Sequence, residues 1–295
     1  MPSDRLAHGF DEMIEAKNLL FPPITFELGK EFEPDPTDVI ITPWSKSGTT
    51  WLQQVVHGLR SGGDMDFDDI SRISPWIEVA HALGVDLYAV QGWRPRIFKS
   101  HYSYAAVPKG CRYIVSFRDP LLVMVSYYRF YEGWLFEPGS VTLDEYLAPH
   151  LDPQSPKSYW NHMASWLEQR DNPNVLVLSY EAMLEDLRPA VVTIAEFLGM
   201  DAGTELIELV VQQSSREFML EYEDRFNDLM HRQRGAEVGA HPPGIGSTKV
   251  TDGRFDSARY ALSPETLAMM DQLWADRIAT PFGFETYADV TESLR

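Results

Sequence analysis

Residues Asp38 to Arg60 (DVIITPWSKSGTTWLQQVVHGLR) constrain the fold more than any other stretch of the chain. Val39, Ile40 and Ile41 are a short β-branched run, the pattern of a strand buried on both faces of a parallel sheet. Pro43 and Trp44 close it, and Ser45 to Thr50 are small or polar apart from Lys46. From Thr49 the pattern turns helical, with Trp51, Leu52, Val55, Val56 and Leu59 at the spacing of one helical face. Strand, tight loop and helix N-terminus in this order make an anion cradle. The first helical N–H groups lack partners within the helix, and the dipole favours negative charge there. Ser47, Thr49 and Thr50 add hydroxyls, Gly48 lets a ligand approach the backbone, and Lys46 adds a point charge. The plainer reading is a helix capped by serine and threonine that holds no ligand. The loop alone does not choose between the two.

The cradle is not the nucleoside-triphosphate version of this motif. That version, G-x-x-x-x-G-K-[ST], places lysine directly after the second glycine. Here Lys46 precedes Gly48 and Thr49 follows it. A different anion is expected.

The chain has 295 residues, 44% of them hydrophobic, enough for one large core in one α/β domain or two small ones. No linker divides it, so one domain over residues 1–295 is expected. No window reads as a twenty-residue apolar span, so no membrane helix is predicted. The first twenty residues lack an apolar signal core. Cys111 is the only cysteine, which excludes an internal disulfide and fits a reducing compartment; cytoplasm is the default. The formal charge of −19 argues against a nucleic-acid partner, which would meet a basic face. The same charge opposes any polyanionic ligand, so a few local cations must dominate at short range.

Residues 1–37 read as peripheral: a short helix over roughly Asp11 to Leu20, then an irregular approach through Pro22, Pro23, Pro34, Asp35 and Pro36. Arg96 to Lys99 and Tyr113 to Phe117 read as strands, the second followed by a helix from about Leu121 to Trp134. Val175 to Leu178 is a fourth, wholly apolar strand. Helices are predicted over Tyr159–Gln169, Arg188–Leu198 and Glu205–Gln213. Strands alternating with helices imply a parallel sheet covered on both faces. Residues 235–253 read as a long loop rich in glycine and proline. A final helix starts at Ser263 and Pro264, with Leu267, Met270, Leu273 and Trp274 on one face.

The predicted strands share one property: each ends in polar, reactive groups. These are Ser45–Thr50, Lys99–His101, Arg118 and Tyr180. In open α/β sheets, ligands bind beyond the carboxyl ends of the strands. Singly, each has an ordinary explanation: Arg118 paired with Asp119, Tyr180 at a core edge, His101 a satisfied loop histidine. Four such groups at one sheet edge favour a site. No H-E-x-x-H, paired cysteines or His/Asp cluster suggests a metal, and no G-x-S-x-G elbow is present.

Taken together, KSGTTW (Lys46–Trp51), K-S-H (Lys99–His101) and YIVSFRDPLLVMVSYYRFY (Tyr113–Tyr131) resemble the cytosolic sulfotransferases in order and spacing. SYWNHMASWLE (Ser158–Glu168), VLVLSYEAMLEDL (Val175–Leu187) and IAEFLG (Ile194–Gly199) extend the resemblance over roughly residues 35–220. It implies one α/β domain with a P-loop-like cradle. It also implies in-line transfer of a sulfuryl group from 3′-phosphoadenosine-5′-phosphosulfate (PAPS) to a hydroxyl or amine, leaving adenosine 3′,5′-bisphosphate (PAP). By motif match, Lys46, Ser47, Gly48, Thr49 and Thr50 would hold the 5′-phosphosulfate. Arg118 and Ser126 would hold the 3′-phosphate, and Ser126 counts with the catalytic group as well. Trp51 would stack on adenine, helped by Tyr180 and Ser214. His101 would be the general base, with Lys46 and Lys99 stabilising the transferring group.

The sequence departs from the family in three places. The usual R-K-G-x-x-G-D-W-K segment reads T-D-G-R-F-D-S-A-R from Thr251 to Arg259. Arg216 stands where relatives carry an aromatic against adenine. The Thr-Val of the family's dimer motif occurs nowhere, which leaves the oligomeric state open. Arg118 and Ser126 supply one positive charge between them, so at least one of Lys249 and Arg254, flanking Gly253, is expected to reach the 3′-phosphate; the plainer reading is that both are solvated loop cations. A nucleotide kinase or NTPase, and a non-catalytic nucleotide-binding module, are the alternatives. The acceptor is expected to be a small molecule or lipid, with Trp76, Ile77, His81, Tyr102, Tyr127, Trp134 and Trp160 as candidate pocket walls.

Overall fold

The computed structural model describes residues 4–250 and 262–295. Four parallel strands form the sheet in the order β2-β1-β3-β4: β1 is Val39–Ile41, β2 Ile97–Lys99, β3 Arg112–Phe117 and β4 Val175–Ser179. The register pairs Ile41 with both Lys99 and Ile114, and Phe117 with Ser179. Polar groups that follow the strands therefore gather at one edge.

Side chains alternate along each strand, and both faces are buried. Val39, Ile41, Ile97 and Ile114 enter one core with Leu52, Val55, Val56 and Leu59 of the Thr49–Ser61 helix. That core also holds the apolar stripes of helices Leu187–Leu198 and Thr204–Gln213. Ile40, Phe98, Tyr113, Val115 and Phe117 enter the larger, aromatic core on the opposite face. Burying one Leu, Val or Ile side chain stabilises by roughly 1.5–3 kcal/mol, so each helix stripe ties its element firmly to the sheet.

Several elements differ from the sequence expectation. The N-terminal segment is not peripheral. Helix Phe10–Leu20 buries Met13, Ala16 and Leu20, and Phe21 follows them into the core. The expected irregular approach contains a second helix, Pro23–Lys30. Pro23 starts it without cost, because its fixed φ suits the first helical position and the N–H it lacks has no partner there. Residues 235–238 belong to helix Leu229–Val238, so the long loop begins only at Gly239. The helix after β3 stops at Tyr131, and the Pro264–Trp274 helix leaves Leu267 41% exposed while burying Met270 and Leu273. Among the described residues, no helix is long and apolar enough to cross a membrane.

Candidate functional site

The loop between β1 and its helix turns twice through left-handed backbone, at Lys46 (φ 68°) and Gly48 (φ 100°). Alternation of this kind turns successive N–H groups toward one side and forms an anion-binding concavity. Two side chains secure the loop by its carbonyls. Arg118 donates to the Lys46 carbonyl at 3.0 Å, and the Ser116 hydroxyl donates to the Ser47 carbonyl at 2.5 Å. Gly48 is also the N-cap of the helix, and no side chain caps it. The capped-helix reading therefore does not describe this turn. Ser47 Oγ and Thr49 Oγ1 are buried without a hydrogen-bond partner. Arg118 Nε and Ser214 Oγ, across the same end of the cavity, are in the same state. Orphaned donors converging on an uncapped helix start fit an anionic ligand.

A cavity of about 800 Å³ opens beyond the carboxyl ends of the strands, lined by Lys46, Gly48, Thr49, Thr50, Trp51 and Lys99 among others. His101, Arg118, Ser126, Tyr180, Ser214 and Lys249 line it as well. At one end, Trp51, half-buried against the core, also lines the cavity. Its indole N–H donates to the Ser214 carbonyl at 2.8 Å, and its ring meets Tyr180 edge-on at 5.5 Å. Arg118 lies over the Tyr180 ring at 4.5 Å rather than pairing with Asp119, whose carboxylate caps the next helix at Leu122. Arg216 lines the same region.

At the other end stand Lys99 and His101. Lys99 is 4% exposed, with its ammonium 4.0 Å from the centre of the Trp76 ring. Lys46 lies likewise 4.3 Å over Phe130. Burial, and then the nearby charges of Lys249 and others, push both lysines down to about 7. His101 Nδ1 is 2.7 Å from the Pro43 carbonyl, which can only accept. The proton is thus on Nδ1, and the lone pair is left on Nε2. Burial and the Lys99 charge hold this imidazole well below its usual range, so it is neutral at physiological pH. The His101 backbone N–H donates to Glu78 Oε1 at 2.5 Å, with Ser100 Oγ on the same oxygen at 3.0 Å. Burial raises Glu78 to about 7 against those bonds.

Lys249 forms a 2.5 Å ion pair with Asp228. Burial opposes ionisation of Asp228, but Lys249 and Lys99 outweigh it and hold the carboxyl well below its usual range. Gly253 and Arg254 lie outside the described residues. Of the candidate pocket walls, Trp76, Tyr127 and Trp134 line the cavity. Ile77, Tyr102 and Trp160 are core residues instead, and His81 is exposed. The sequence reading missed Phe21, Phe130, Tyr131, Glu78 and Asp228. The first three are aromatics in runs indistinguishable from core. The two acids carry no local signal, since only burial beside the lysines sets them apart.

Residues 36–239 match the family described as "Sulfotransferase domain". The 3-beta-hydroxysteroid sulfotransferase of Cavia porcellus is 33% identical over 228 residues, covering 72% of this chain and 78% of that protein. Sulfotransferase 1E1 of Bos taurus is 32% identical over 197 residues, covering 63% and 67%. Retinol dehydratase, solved with androsterone and inactive cofactor PAP, shares the fold with a TM-score of 0.71 at 17% identity, over 98% of this chain and all of that one. Mouse sulfotransferase SULT7A1, solved with PAP, gives a TM-score of 0.64 at 18% identity over 93% and 94%. With the family pattern spanning the cradle, the sheet edge and most of the cavity wall, the chain belongs to the sulfotransferase family.

Proposed function

We propose that the protein transfers a sulfuryl group from PAPS to the hydroxyl of an apolar small molecule or lipid, with His101 as general base. The observation that carries this reading is the uncapped cradle facing Lys46, Lys99 and His101 across one cavity. Lys46 and the cradle N–H groups hold the 5′-phosphosulfate, and Arg118 and Ser126 hold the 3′-phosphate. Trp51 and Tyr180 bracket the adenine, with Ser214 beside them. PAPS supplies the activated sulfuryl group, whose sulfur–oxygen bond to phosphate is the one that breaks.

His101 Nε2 takes the hydroxyl proton as the acceptor oxygen bonds to sulfur, and the electron pair of the broken bond leaves with PAP. Lys46 and Lys99 neutralise charge on the peripheral oxygens, so positioning and electrostatics do most of the work. The cluster also answers the net charge of −19, because cations at contact distance outweigh a screened global field.

Phe21, Trp76, Tyr127, Phe130, Tyr131 and Trp134 line the acceptor side of the cavity. Such a wall suits a flat, apolar body bearing one hydroxyl, in keeping with the steroid named for the Cavia porcellus relative. An amine is the second acceptor class. The buried lone thiol, Cys111, supports a reducing compartment, the cytoplasm. Membership of the family counts against the kinase and non-catalytic alternatives.

Melting temperature against nucleotide tests the reading. PAP is expected to raise it well above the shift given by ATP with magnesium, by ligand linkage. Equal or reversed shifts would overturn the assignment, as would turnover that EDTA abolishes and a divalent ion restores.

A further inference from the structure

Lys249 reaches the cavity from the loop after helix Leu229–Val238, and two consecutive buried residues hold it. Asn227 Oδ1 accepts from its backbone N–H at 3.0 Å, and Asp228 Oδ1 meets its ammonium at 2.5 Å. The Lys249 side chain is 7% exposed, so it is not a solvated loop cation. Asp228 is anchored in turn, accepting from the Ser71 hydroxyl at 2.6 Å. Its backbone is left-handed (φ 50°), a conformation that costs a residue with a Cβ energy and persists where the surroundings enforce it. Much structure is committed to placing one ammonium group.

That placement is at the reaction end of the cavity. The charge of Lys249 acts on Lys99, Lys46 and His101, and that of Arg118 acts on Lys46. Asp228, not solvent, is the counter-charge that Lys249 meets beside two other lysines. His231 also faces Asp228, at 3.8 Å, and burial lowers it to about 3, so it adds no competing charge.

The geometry points to Lys249 as a third cation for the transferring sulfuryl group, positioned by Asp228, and not as a partner of the 3′-phosphate. This rests on the sulfotransferase reading. A sulfuryl group in flight presents three peripheral oxygens. Lys46 from the cradle, Lys99 from the β2 end and Lys249 from the late loop approach it from three separate parts of the chain. The late loop thereby closes the reaction end with a charge that serves only a ligand carrying the sulfuryl group.

The test is calorimetric binding of PAPS, PAP and adenosine 5′-phosphate to the full chain, wild type and Lys249→Met, Lys249→Arg and Asp228→Asn. Lys249→Met is expected to weaken PAPS by roughly tenfold to a hundredfold, the worth of a charged hydrogen bond. PAP and adenosine 5′-phosphate should change by less than about threefold, and Lys249→Arg should recover part of the PAPS affinity. Asp228→Asn should follow Lys249→Met. If it fails to fold, as judged by its melting transition, the two Lys249 variants decide alone. Equal loss for PAPS and PAP, with discrimination against adenosine 5′-phosphate gone, would return Lys249 to the 3′-phosphate. Unchanged affinities would make it a structural cation of the loop. Wild-type protein that binds neither PAPS nor PAP would sink the sulfotransferase reading itself, a result separate from all of these.

Discussion

The Nδ1 atom of His101 lies 2.7 Å from the carbonyl oxygen of Pro43, the residue that follows β1 by one position after Thr42. This bond selects the tautomer with a free Nε2 lone pair and ties His101, the proposed base, to the strand that launches the cradle. One hydrogen bond thus links His101 to the segment that leads into the cradle, which suits the proposed displacement with nucleophile, sulfur and leaving oxygen in line.

His101→Ala is expected to lower turnover by about 10²–10⁴ while leaving PAP affinity nearly unchanged. Burial and Lys99 hold the imidazole well below its ordinary value near 6.5. Accordingly, the acid limb of the wild-type rate profile should fall well below pH 6.5. A limb centred at 6.5 that persists in His101→Ala would show that another group titrates. Steady-state rates across pH with PAPS and a phenol probe give the measurement.

Nucleotide binding should take up protons. In the free protein Lys46 and Lys99 titrate at about 7, so at pH 8 both are mostly neutral. An anion beside them favours their charged forms and raises these values. Glu78, raised to about 7, shifts in the same direction. The sign is therefore proton uptake at pH 8, with affinity for PAP weakening as pH rises above 7. Calorimetry in two buffers of different ionisation enthalpy measures it, and proton release would contradict the cluster as described.

Gly48→Ala should destabilise the protein by about 1–3 kcal/mol, from a strained left-handed backbone. A Cβ there would also lie 3.0 Å from the Tyr180 ring and 3.3 Å from the Ser116 hydroxyl. Because Tyr180 lines the cavity at the end proposed for the nucleotide, PAP affinity should drop with stability. Chemical denaturation and PAP titration of the same variant check both effects; a neutral outcome in both would mean that the cradle tolerates a side chain.

Asp38→Ala should cost about 3–5 kcal/mol, the range for removing one partner of a buried ion pair. Asp38 is fully buried and accepts from Arg96 at 2.9 and 2.6 Å, where β1 and β2 begin. This is the sheet edge opposite the cavity, so PAP binding by the folded fraction should hold. Urea unfolding, followed by titration under native conditions, separates the two.

What the sequence alone determined is what short-range geometry encodes. The β-branched run Val39–Ile41, the small residues after it and the helical spacing from Thr49 specify a strand, a turn and a helix start. Strand polarity then carries Lys99, His101, Arg118 and Tyr180 to the same edge, since parallel strands end together. The long aromatic run of Tyr127, Phe130, Tyr131 and Trp134 was legible as apolar, but not as cavity or core. Which aromatic faces empty space depends on the neighbouring layer.

Tertiary structure alone decided the meeting of Lys249, Asp228 and Lys99, and the entry of Phe21 from a segment that reads as peripheral. No periodicity links residues so far apart, and their approach is set by how layers pack. It also decided charge. A lysine or glutamate reads the same in any sequence, and only burial beside other charges brings Lys46, Lys99 and Glu78 to titrate near neutrality.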